Sequence, residues 1–202
     1  MEKHVLAVSP LVETGRFFSF LIQLEDHKER SQSVLDYLRT TAEPAIERRM
    51  DVHVEFRHAS WHRQEILQAL KDAGIGICNT EIPPVAHAFP LKAYATTPKG
   101  YLRYSGKNLA SWYPKAQTEN ASLSRSATTK EQIATRNARY DYLYSEKEVQ
   151  ERVAGQMKLL EKTDTIAIAF NNHFQAQAIM NAFRNLEILK ERLRIKDGDG
   201  KK

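Results

Sequence analysis

The sequence predicts an α/β fold in which parallel strands alternate with crossover helices. Short apolar segments rich in β-branched residues recur along the chain, and they show little of the polar alternation of half-exposed strands. Between them, apolar residues recur at the spacing of one helix face. The predicted strands are residues 18–24, 52–56, 75–79, 101–105 and 165–170.

Helices are expected between these strands. The first contains Pro44, which should kink or split it because proline lacks the backbone donor. Ser60 is expected to cap the second helix, and Gly74 to end it just before the third strand. Ser145 and Glu148 have the spacing of a capping box, which predicts the start of a third helix.

A last helix is expected to begin near residue 176 and to lead into a polar tail. Its expected inward residues are Ile179, Ala182, Phe183, Leu186 and Leu189. The chain should therefore form a single domain over residues 1–190, with an insertion loop at 114–139 and a tail at 191–202. The insertion is rich in Ser, Thr, Asn and Ala, so its composition favours a solvated loop over a lid.

The composition is that of a globular protein. With 42% hydrophobic and 27% charged residues, the 202-residue chain can bury a core, which excludes wholesale disorder. No apolar run approaches the roughly 18 residues that a membrane-spanning helix needs. The first residues do not resemble a secretion signal, and the single Cys78 cannot form an internal disulfide. We expect a cytoplasmic protein without a membrane partner.

The net charge of +5 is concentrated in two segments. Residues 190–202 and residues 114–139 each carry an excess of about three positive charges, and the rest of the chain is nearly neutral. A basic excess can indicate a polyanionic partner. Because the excess belongs to one loop and one tail, nucleic acid is a weakly supported partner.

The strongest local signal for chemistry lies at the end of the second strand. Strand alternation places Glu55 and Arg57 on one face, with His58 at the mouth of the strand. A guanidinium can hold a carboxylate or phosphate, and a histidine titrates near neutrality. The alternative is a buried Glu–Arg pair that only organises the interior. Charges in a core are costly unless paired, and this favours a functional site.

Polar residues also end the other strands. Asn171, Asn172 and His173 close the last strand, where they can contact a polar ligand or, equally well, cap the following helix. Arg103 lies on the fourth strand, and Asn79 ends the third. Because every strand delivers a polar side chain at its carboxyl end, we expect a site of the barrel type at that edge.

Several other kinds of site are not supported. There is no glycine-rich phosphate loop, dinucleotide fingerprint, nucleophile elbow or metalloprotease motif. The histidines lack the ligand spacing of a structural zinc site, so no metal is expected, and the cofactor is unknown. Tyr140, Tyr142 and Tyr144 alternate ahead of a helix, where they can stack on a ligand or pack the loop down.

Four motifs together resemble the YecE-like family, also called domain of unknown function 72. They are VEFRHASW at 54–61, YLRYSGKN at 101–108, YDYLYS at 140–145 and FNNH at 170–173. The resemblance implies a TIM-barrel-like fold without an established reaction. It also implies a pocket lined by Glu55, Arg57, His58, Trp61, Arg103, Tyr142, Asn171, Asn172 and His173.

This chain departs from the family pattern in several places. Ser105 stands where the family usually has His, and Asn79 stands where it usually has Asp. The first strands of the family have no counterpart, so the five strands here correspond to its fourth through eighth. A complete barrel runs to roughly 250 residues. The expected fold is therefore an incomplete barrel.

The leading hypothesis is a polar pocket for a small anionic or sugar-like ligand, with proton-transfer or hydrolytic chemistry if the protein is an enzyme. The expected catalytic residues are Glu55, Arg57, His58 and His173. The expected ligand contacts are Arg103, Asn171, Asn172, Trp61, Asn79 and Tyr142. One alternative is nucleic-acid binding or phosphodiester cleavage. Another is a non-catalytic barrel remnant that needs a partner, which can be an oligomer covering its open sheet edges.

Overall fold

The computed structural model of the protein describes residues 1–83, 85, 87–112 and 138–193. The expected insertion at 114–139 lies outside the described residues except for its last two positions, and so does most of the expected tail, from residue 194 onward. The excess positive charge belongs mostly to these two segments. The structure therefore leaves the nucleic-acid hypothesis untested.

All five predicted strands are present, and they form one sheet in the order of the chain, β1-β2-β3-β4-β5. Their bounds are Phe20–Gln23 (β1), Val52–Glu55 (β2), Gly76–Glu81 (β3), Lys99–Tyr104 (β4) and Thr165–Phe170 (β5). β1 pairs parallel with β2 from Phe20 opposite Val52, and β2 pairs parallel with β3 at His53 opposite Gly76. The α/β class with parallel strands and intervening helices is confirmed.

The described helices are Glu2–Glu13 (α1), Gln32–Ile46 (α2), Gln64–Asp72 (α3), Leu109–Trp112 (α4), Glu146–Leu160 (α5) and Gln177–Leu193 (α6). α1 was not expected from the sequence. It contains Pro10, and it exposes Leu6 and Leu11 while burying Val5 completely. Val5, Val8 and Val12 form its inward stripe, but Leu6 and Leu11 lie outside this stripe and obscure the pattern in the sequence. None of the helices in the described ranges is long and apolar enough to cross a bilayer.

Two of the expected helix boundaries are confirmed. The Ser145 backbone N–H donates to Glu148 Oε2 at 3.0 Å, and the Glu148 N–H donates to Ser145 Oγ at 3.4 Å, which completes the capping box. Gly74 follows α3 with a φ of +67°, and its successor Ile75 donates to the Leu70 carbonyl. A left-handed glycine of this kind ends a helix without side-chain strain.

Two other boundaries differ from the expectation. Pro44 does not split α2, because it lies in the last turn and the helix ends at Ile46. Ser60 does not cap α3, which begins after Arg63. Ser60 instead lies in a 3₁₀ turn at Ala59–Trp61, where its Oγ approaches His58 Nδ1 to 2.9 Å. The Ser60 side chain therefore contacts the His58 imidazole and not the first turn of α3.

The chain forms two compact units. The first comprises Met1–Thr80, Val85–Arg103 and Gly155–Ile168, and the second comprises Glu81–Pro84, Tyr104–Ala154 and Ala169–Lys202. The main core lies in the first unit, where α1, α2 and α3 pack on one face of β1, β2 and β3 through residues such as Leu38, Val54 and Ile77. This packing leaves the opposite face of the strands for polar residues.

The expected inward face of α6 is wrong. Ile179, Phe183 and Leu186 are 58%, 66% and 49% exposed, and Ala182 is exposed as well. Among the expected residues only Leu189 is buried. The helix instead buries Asn181 and Asn185, which are 3% exposed. Hydrogen bonds of Asn181, described below, hold this polar side inward.

Gly76 lies directly against the His53 ring, so this position should not tolerate a side chain. A Cβ atom at Gly76 would lie 2.3 Å from the His53 ring, which is held between Ser19 Oγ at 2.6 Å and the Lys99 carbonyl at 2.9 Å. Because the ring cannot move without losing these contacts, Gly76→Ala should cost about 1–3 kcal/mol of unfolding free energy, or more. Urea denaturation measures this cost.

Gly155→Ala is the matched control. Gly155 lies inside α5, and no atom lies within 4 Å of the position that an alanine Cβ would take. Alanine should therefore be neutral or stabilising by about 0.5–1 kcal/mol. Equal effects of the two substitutions would contradict the packing argument.

Candidate functional site

In the first unit, one carboxylate is shared by two guanidinium groups. Glu55 Oε1 accepts a hydrogen bond from Arg57 Nε at 2.8 Å, and Glu55 Oε2 accepts one from Arg103 Nη1. Arg103 Nη1 also donates to Gln23 Oε1 at 2.9 Å. The Glu55 side chain is fully buried, whereas those of Arg57 and Arg103 are 13% and 14% exposed. A small fraction of each arginine side chain is therefore exposed.

The local sequence explains this arrangement. Val54 and Phe56 belong to the main core, so the alternation of β2 turns Glu55 and Arg57 to the opposite face, as predicted. Arg103 lies two strands away on β4 and reaches the same carboxylate. Buried charges are tolerated when they are paired and hydrogen-bonded. The three side chains that the sequence singled out thus form one cluster.

The electrostatics keep this cluster charged. Burial acts to lower the pKa of Arg103, but the charge of Glu55 and the hydrogen bond to it outweigh burial and raise that pKa. Nearby, burial raises the pKa of the Cys78 thiol well above its usual range, and the charge of Glu55 adds to the effect. Cys78 is therefore a neutral thiol in the core of the first unit.

His58 lies in a turn directly after β2. Its Nδ1 accepts a hydrogen bond from the Ser60 backbone N–H at 3.2 Å, and its ring lies 5.7 Å from the ring of His87. Ser60 Oγ accepts in turn from the Arg30 N–H at 2.8 Å. Because Nδ1 is an acceptor here, neutral His58 carries its proton on Nε2. The proposed proton-transfer role of His58 remains a prediction.

Trp61 and Asn79 are enclosed in the first unit. Trp61 is fully buried, stacks on Phe56 at 4.7 Å, and donates from Nε1 to the Lys28 carbonyl at 2.8 Å. The Asn79 amide bonds both the N–H and the carbonyl of Tyr94 at 2.9 Å. These contacts give both residues a role in positioning the chain. Their expected role as ligand contacts is not tested by these contacts and remains a prediction.

The second unit holds the residues that end β5. Asn172 is fully buried, and its amide donates to the Tyr142 carbonyl and to Asn181 Oδ1, both at 2.8 Å. Asn181 also bonds the N–H and the carbonyl of Tyr144 at 3.1 and 3.0 Å. Asn172 and Asn181 therefore fasten the 142–144 segment to α6. This geometry resembles a structural clamp, and the ligand role of Asn172 remains a prediction.

Asn171 and His173 are more accessible than Asn172. The Asn171 side chain lies 3.5 Å from Ser105 Oγ, and its backbone N–H donates to the Tyr104 carbonyl at 2.7 Å. His173 is exposed, and its ring centre is 4.6 Å from that of Tyr140. Both side chains are placed where a ligand of the second unit can reach them, which leaves their expected roles as predictions.

Sequence reasoning missed an ion-pair network in the second unit. Arg152 binds both carboxylate oxygens of Glu81, and both residues are 7% exposed. The Arg152 guanidinium lies over the Tyr144 ring at 5.1 Å. Lys107 Nζ lies 3.8 Å from Glu81 and donates to Glu148 at 3.0 Å. No sequence spacing indicates this network, because Glu81 and Arg152 are 71 positions apart and Arg152 contacts Glu148 through its backbone carbonyl.

Tyr142 contacts the edge of this network. Its hydroxyl donates to Glu148 Oε1 at 2.7 Å. Burial and the hydrogen bond to Glu148 raise the pKa of Tyr142 to about 12. Burial acts to raise the pKa of Glu148, but hydrogen bonds from Tyr142, Ser145 and Lys107 outweigh it and lower that pKa to about 2. Tyr142 is thus a protonated donor and Glu148 a carboxylate at neutral pH.

In the ranges that the structure describes, no group of three His, Cys, Asp or Glu side chains lies together in a way that could hold a metal ion. The residues of the expected site fall into separate groups. Glu55, Arg57 and Arg103 meet in the first unit, which also holds His58, Trp61 and Asn79. Tyr142, Asn171, Asn172 and His173 belong to the second unit.

The fold and these side chains define an α/β protein with a parallel sheet and buried, paired charges at its strands. The chain belongs to the family described as "Protein of unknown function DUF72", whose family model matches residues 1–200. This is the family that the sequence motifs resemble, so the resemblance is confirmed.

Solved structures of the same family are similar to this chain. A DUF72 family protein from Thermotoga maritima is 27% identical with a TM-score of 0.77, over 94% of this chain and 64% of that one. Two structures of a DUF72 family protein from Enterococcus faecalis have TM-scores of 0.73 and 0.72 at 22% and 19% identity. They cover 94% and 95% of this chain and 66% and 67% of the other. The Enterococcus likeness concerns the fold alone.

The chain spans just under two thirds of the length of the Thermotoga protein. No protein with a curated description matches it.

Proposed function

We propose that this chain forms five strand and helix units of a TIM-barrel-like fold and that its Glu55 cluster binds a small anionic ligand. The cluster consists of Glu55, Arg57, Arg103 and Gln23. The barrel assignment, with residues 1–190 as one domain, is supported by the parallel strand order and by the likeness to family members that are longer than this chain. Barrel proteins bind ligands at the carboxyl ends of their strands.

The observation that carries the proposal is the sharing of one buried carboxylate by two arginines. Arg57, Arg103 and Glu55 together bring two positive charges and one negative charge. Glu55 holds each guanidinium in a fixed orientation, and 13% and 14% of the two arginine side chains remain exposed. A guanidinium presents its donors in a planar fork that fits carboxylate and phosphate oxygens. The cluster thus offers oriented donors to an anion.

The side chains of the cluster favour binding of an anion, and a catalytic step would need a further group. In the proposed site Arg57 and Arg103 hold the anion, and Glu55 orients them. His58, which follows β2 directly, supplies an imidazole that can act as a general acid or base. Proton-transfer or hydrolytic chemistry on the bound ligand is the reaction class that such groups allow. The assignments of His173 and of the second-unit ligand contacts stay predictions.

A thermal-shift series with phosphate, sulfate and small dicarboxylates tests the proposal. A ligand that binds only the folded protein raises its Tm. We expect one of these anions to raise the Tm of the parent above its value in sodium chloride of equal ionic strength. The rise should disappear in Arg103→Met and be partly kept in Arg103→Lys, because lysine retains the charge without the fork.

Arg39→Met is the control for this series. Arg39 is an exposed arginine on α2 that lies 4.0 Å from Asp36. Its substitution should leave the anion response unchanged. The same Tm rise in the parent and in Arg103→Met, or no response to any anion in the parent, would rule out this site.

A further inference from the structure

The last helix exposes a set of apolar side chains, while it buries Asn181 and Asn185 together with Ile188 and Leu189. Its exposed α6 face consists of Ile179, Met180, Phe183, Leu186 and Leu193, which are between 41% and 66% exposed. A surface helix of a globular protein normally has the opposite arrangement, with its apolar stripe toward the core. Exposed Lys190 lies on the same face between Leu186 and Leu193, so the apolar part is continuous only from Ile179 to Leu186. An exposed group of apolar residues marks an interaction surface more often than scattered single residues do.

The exposed α6 face cannot turn inward without breaking hydrogen bonds. Asn181 bonds both backbone groups of Tyr144 and the amide of Asn172 within 3.1 Å, on the opposite side of the helix. A rotation of α6 that buried Phe183 would leave these buried polar groups without partners, at about 1–3 kcal/mol for each. The polar clamp therefore fixes the orientation of the apolar stripe.

We propose that two copies of this chain associate through the exposed α6 face, with the two helices antiparallel about a twofold axis near Leu186. Ile179, Leu186 and Leu193 recur every seventh residue, which is the repeat of helices that pack side by side. The stripe runs for about 20 Å along the helix. A twofold pairing places the same apolar patch on both sides of the interface, so the face is its own complement.

The charges beside the stripe favour the antiparallel direction. Arg184 and Glu187 lie on one flank of the face as an ion pair at 2.9 Å, with side chains that are 40% and 63% exposed, and Arg184 also donates to Glu146 at 2.7 Å. In an antiparallel pair each flank meets the same flank of the other helix. Arg184 of one copy then lies beside Glu187 of the other, and the reverse contact forms at the same time. A parallel pair would place this flank against the opposite one, where exposed Ala182 offers no charge.

The size of the face predicts a weak dimer. A stable protein interface buries about 800 Å² on each partner. One face of a single helix supplies less than this, so we expect an affinity in the micromolar range and an equilibrium that depends on protein concentration.

Sedimentation of the full chain over a roughly hundredfold range of concentration tests the proposal. The parent should pass from monomer to dimer, and Phe183→Glu should remain a monomer with unchanged circular dichroism. Leu6→Glu is the matched control, because Leu6 on α1 is 66% exposed, as Phe183 is. It should dimerise like the parent. A parent that stays monomeric, or a Phe183→Glu variant that dimerises normally, overturns the proposal and leaves the face to a different polypeptide.

Cysteine cross-linking tests the direction. Cys78 is the only cysteine of the chain and is 1% exposed, so introduced thiols report cleanly. Leu186→Cys should form a disulfide-linked dimer under mild oxidation. Ile179→Cys and Leu193→Cys should each cross-link poorly alone and efficiently when the two variants are mixed. Efficient cross-linking of Ile179→Cys with itself overturns the antiparallel arrangement.

Discussion

Glu55→Gln should destabilise the protein by about 3–5 kcal/mol, because it removes the negative charge that two largely buried arginines share. The side chain of Glu55 is fully buried, and its two oxygens accept hydrogen bonds from Arg57 and Arg103. Glutamine fits the same space, but its amide would turn an N–H₂ group toward one guanidinium. The desolvated positive charges then repel each other, so the loss exceeds that of one hydrogen bond. Urea denaturation at neutral pH measures it.

Glu146→Gln is the control for this substitution. Glu146 also binds an arginine through two contacts, from Arg184 Nε at 2.7 Å and Nη2 at 2.5 Å, but its side chain is 50% exposed. Water can solvate both partners there, and exposed ion pairs contribute little. We expect almost no change in stability for Glu146→Gln. Similar losses of unfolding free energy for the two variants would show that the Glu55 cluster is solvated and that Glu55 does not hold the arginines in a fixed orientation.

Arg152→Met should destabilise the protein by a similar amount, about 3–5 kcal/mol, by leaving Glu81 buried without its main partner. Arg152 donates hydrogen bonds to both oxygens of Glu81, and its guanidinium lies over the Tyr144 ring. Methionine keeps part of the packing and loses every donor. Lys107, whose Nζ is 3.8 Å from Glu81, is too far away to replace the hydrogen bonds. Chemical denaturation again gives the loss in unfolding free energy.

A double variant separates charge from packing in this pair. If an unpaired carboxylate causes the loss, Glu81→Gln together with Arg152→Met should recover part of the stability lost by Arg152→Met alone. Arg184→Met, which removes an exposed partner of Glu146, should have a small effect. A double variant less stable than Arg152→Met would indicate that packing on Tyr144, and not the charge of Glu81, determines the cost.

The parts of the fold that depend on neighbours in sequence could be predicted. The alternation of β2 is a local property, and it placed Glu55 and Arg57 on one face before any partner was known. The capping box of Ser145 and Glu148 spans only three residues, so it could also be recognised directly. The family motifs added the fold class.

The parts that depend on distant partners could not be predicted. Glu81 and Arg152 are 71 positions apart, so no periodicity connects them. The face of α6 depends on Asn181, whose partners Tyr144 and Asn172 belong to other segments. Apolar spacing alone indicates which residues share a face, but not which face turns inward. Ser60 was misassigned as a helix cap because the nearby His58 side chain competes for it.

The strand order has a consequence for how the chain is made. Each strand of the sheet lies beside the strand that precedes it in sequence, so β1 can pair with β2 as soon as both have left the ribosome. Every new strand then adds to an existing edge, and each pairing closes a loop no longer than one connecting segment, which keeps the entropy cost of closure low. Folding can therefore keep pace with synthesis, with each strand joining the sheet after the strand that precedes it.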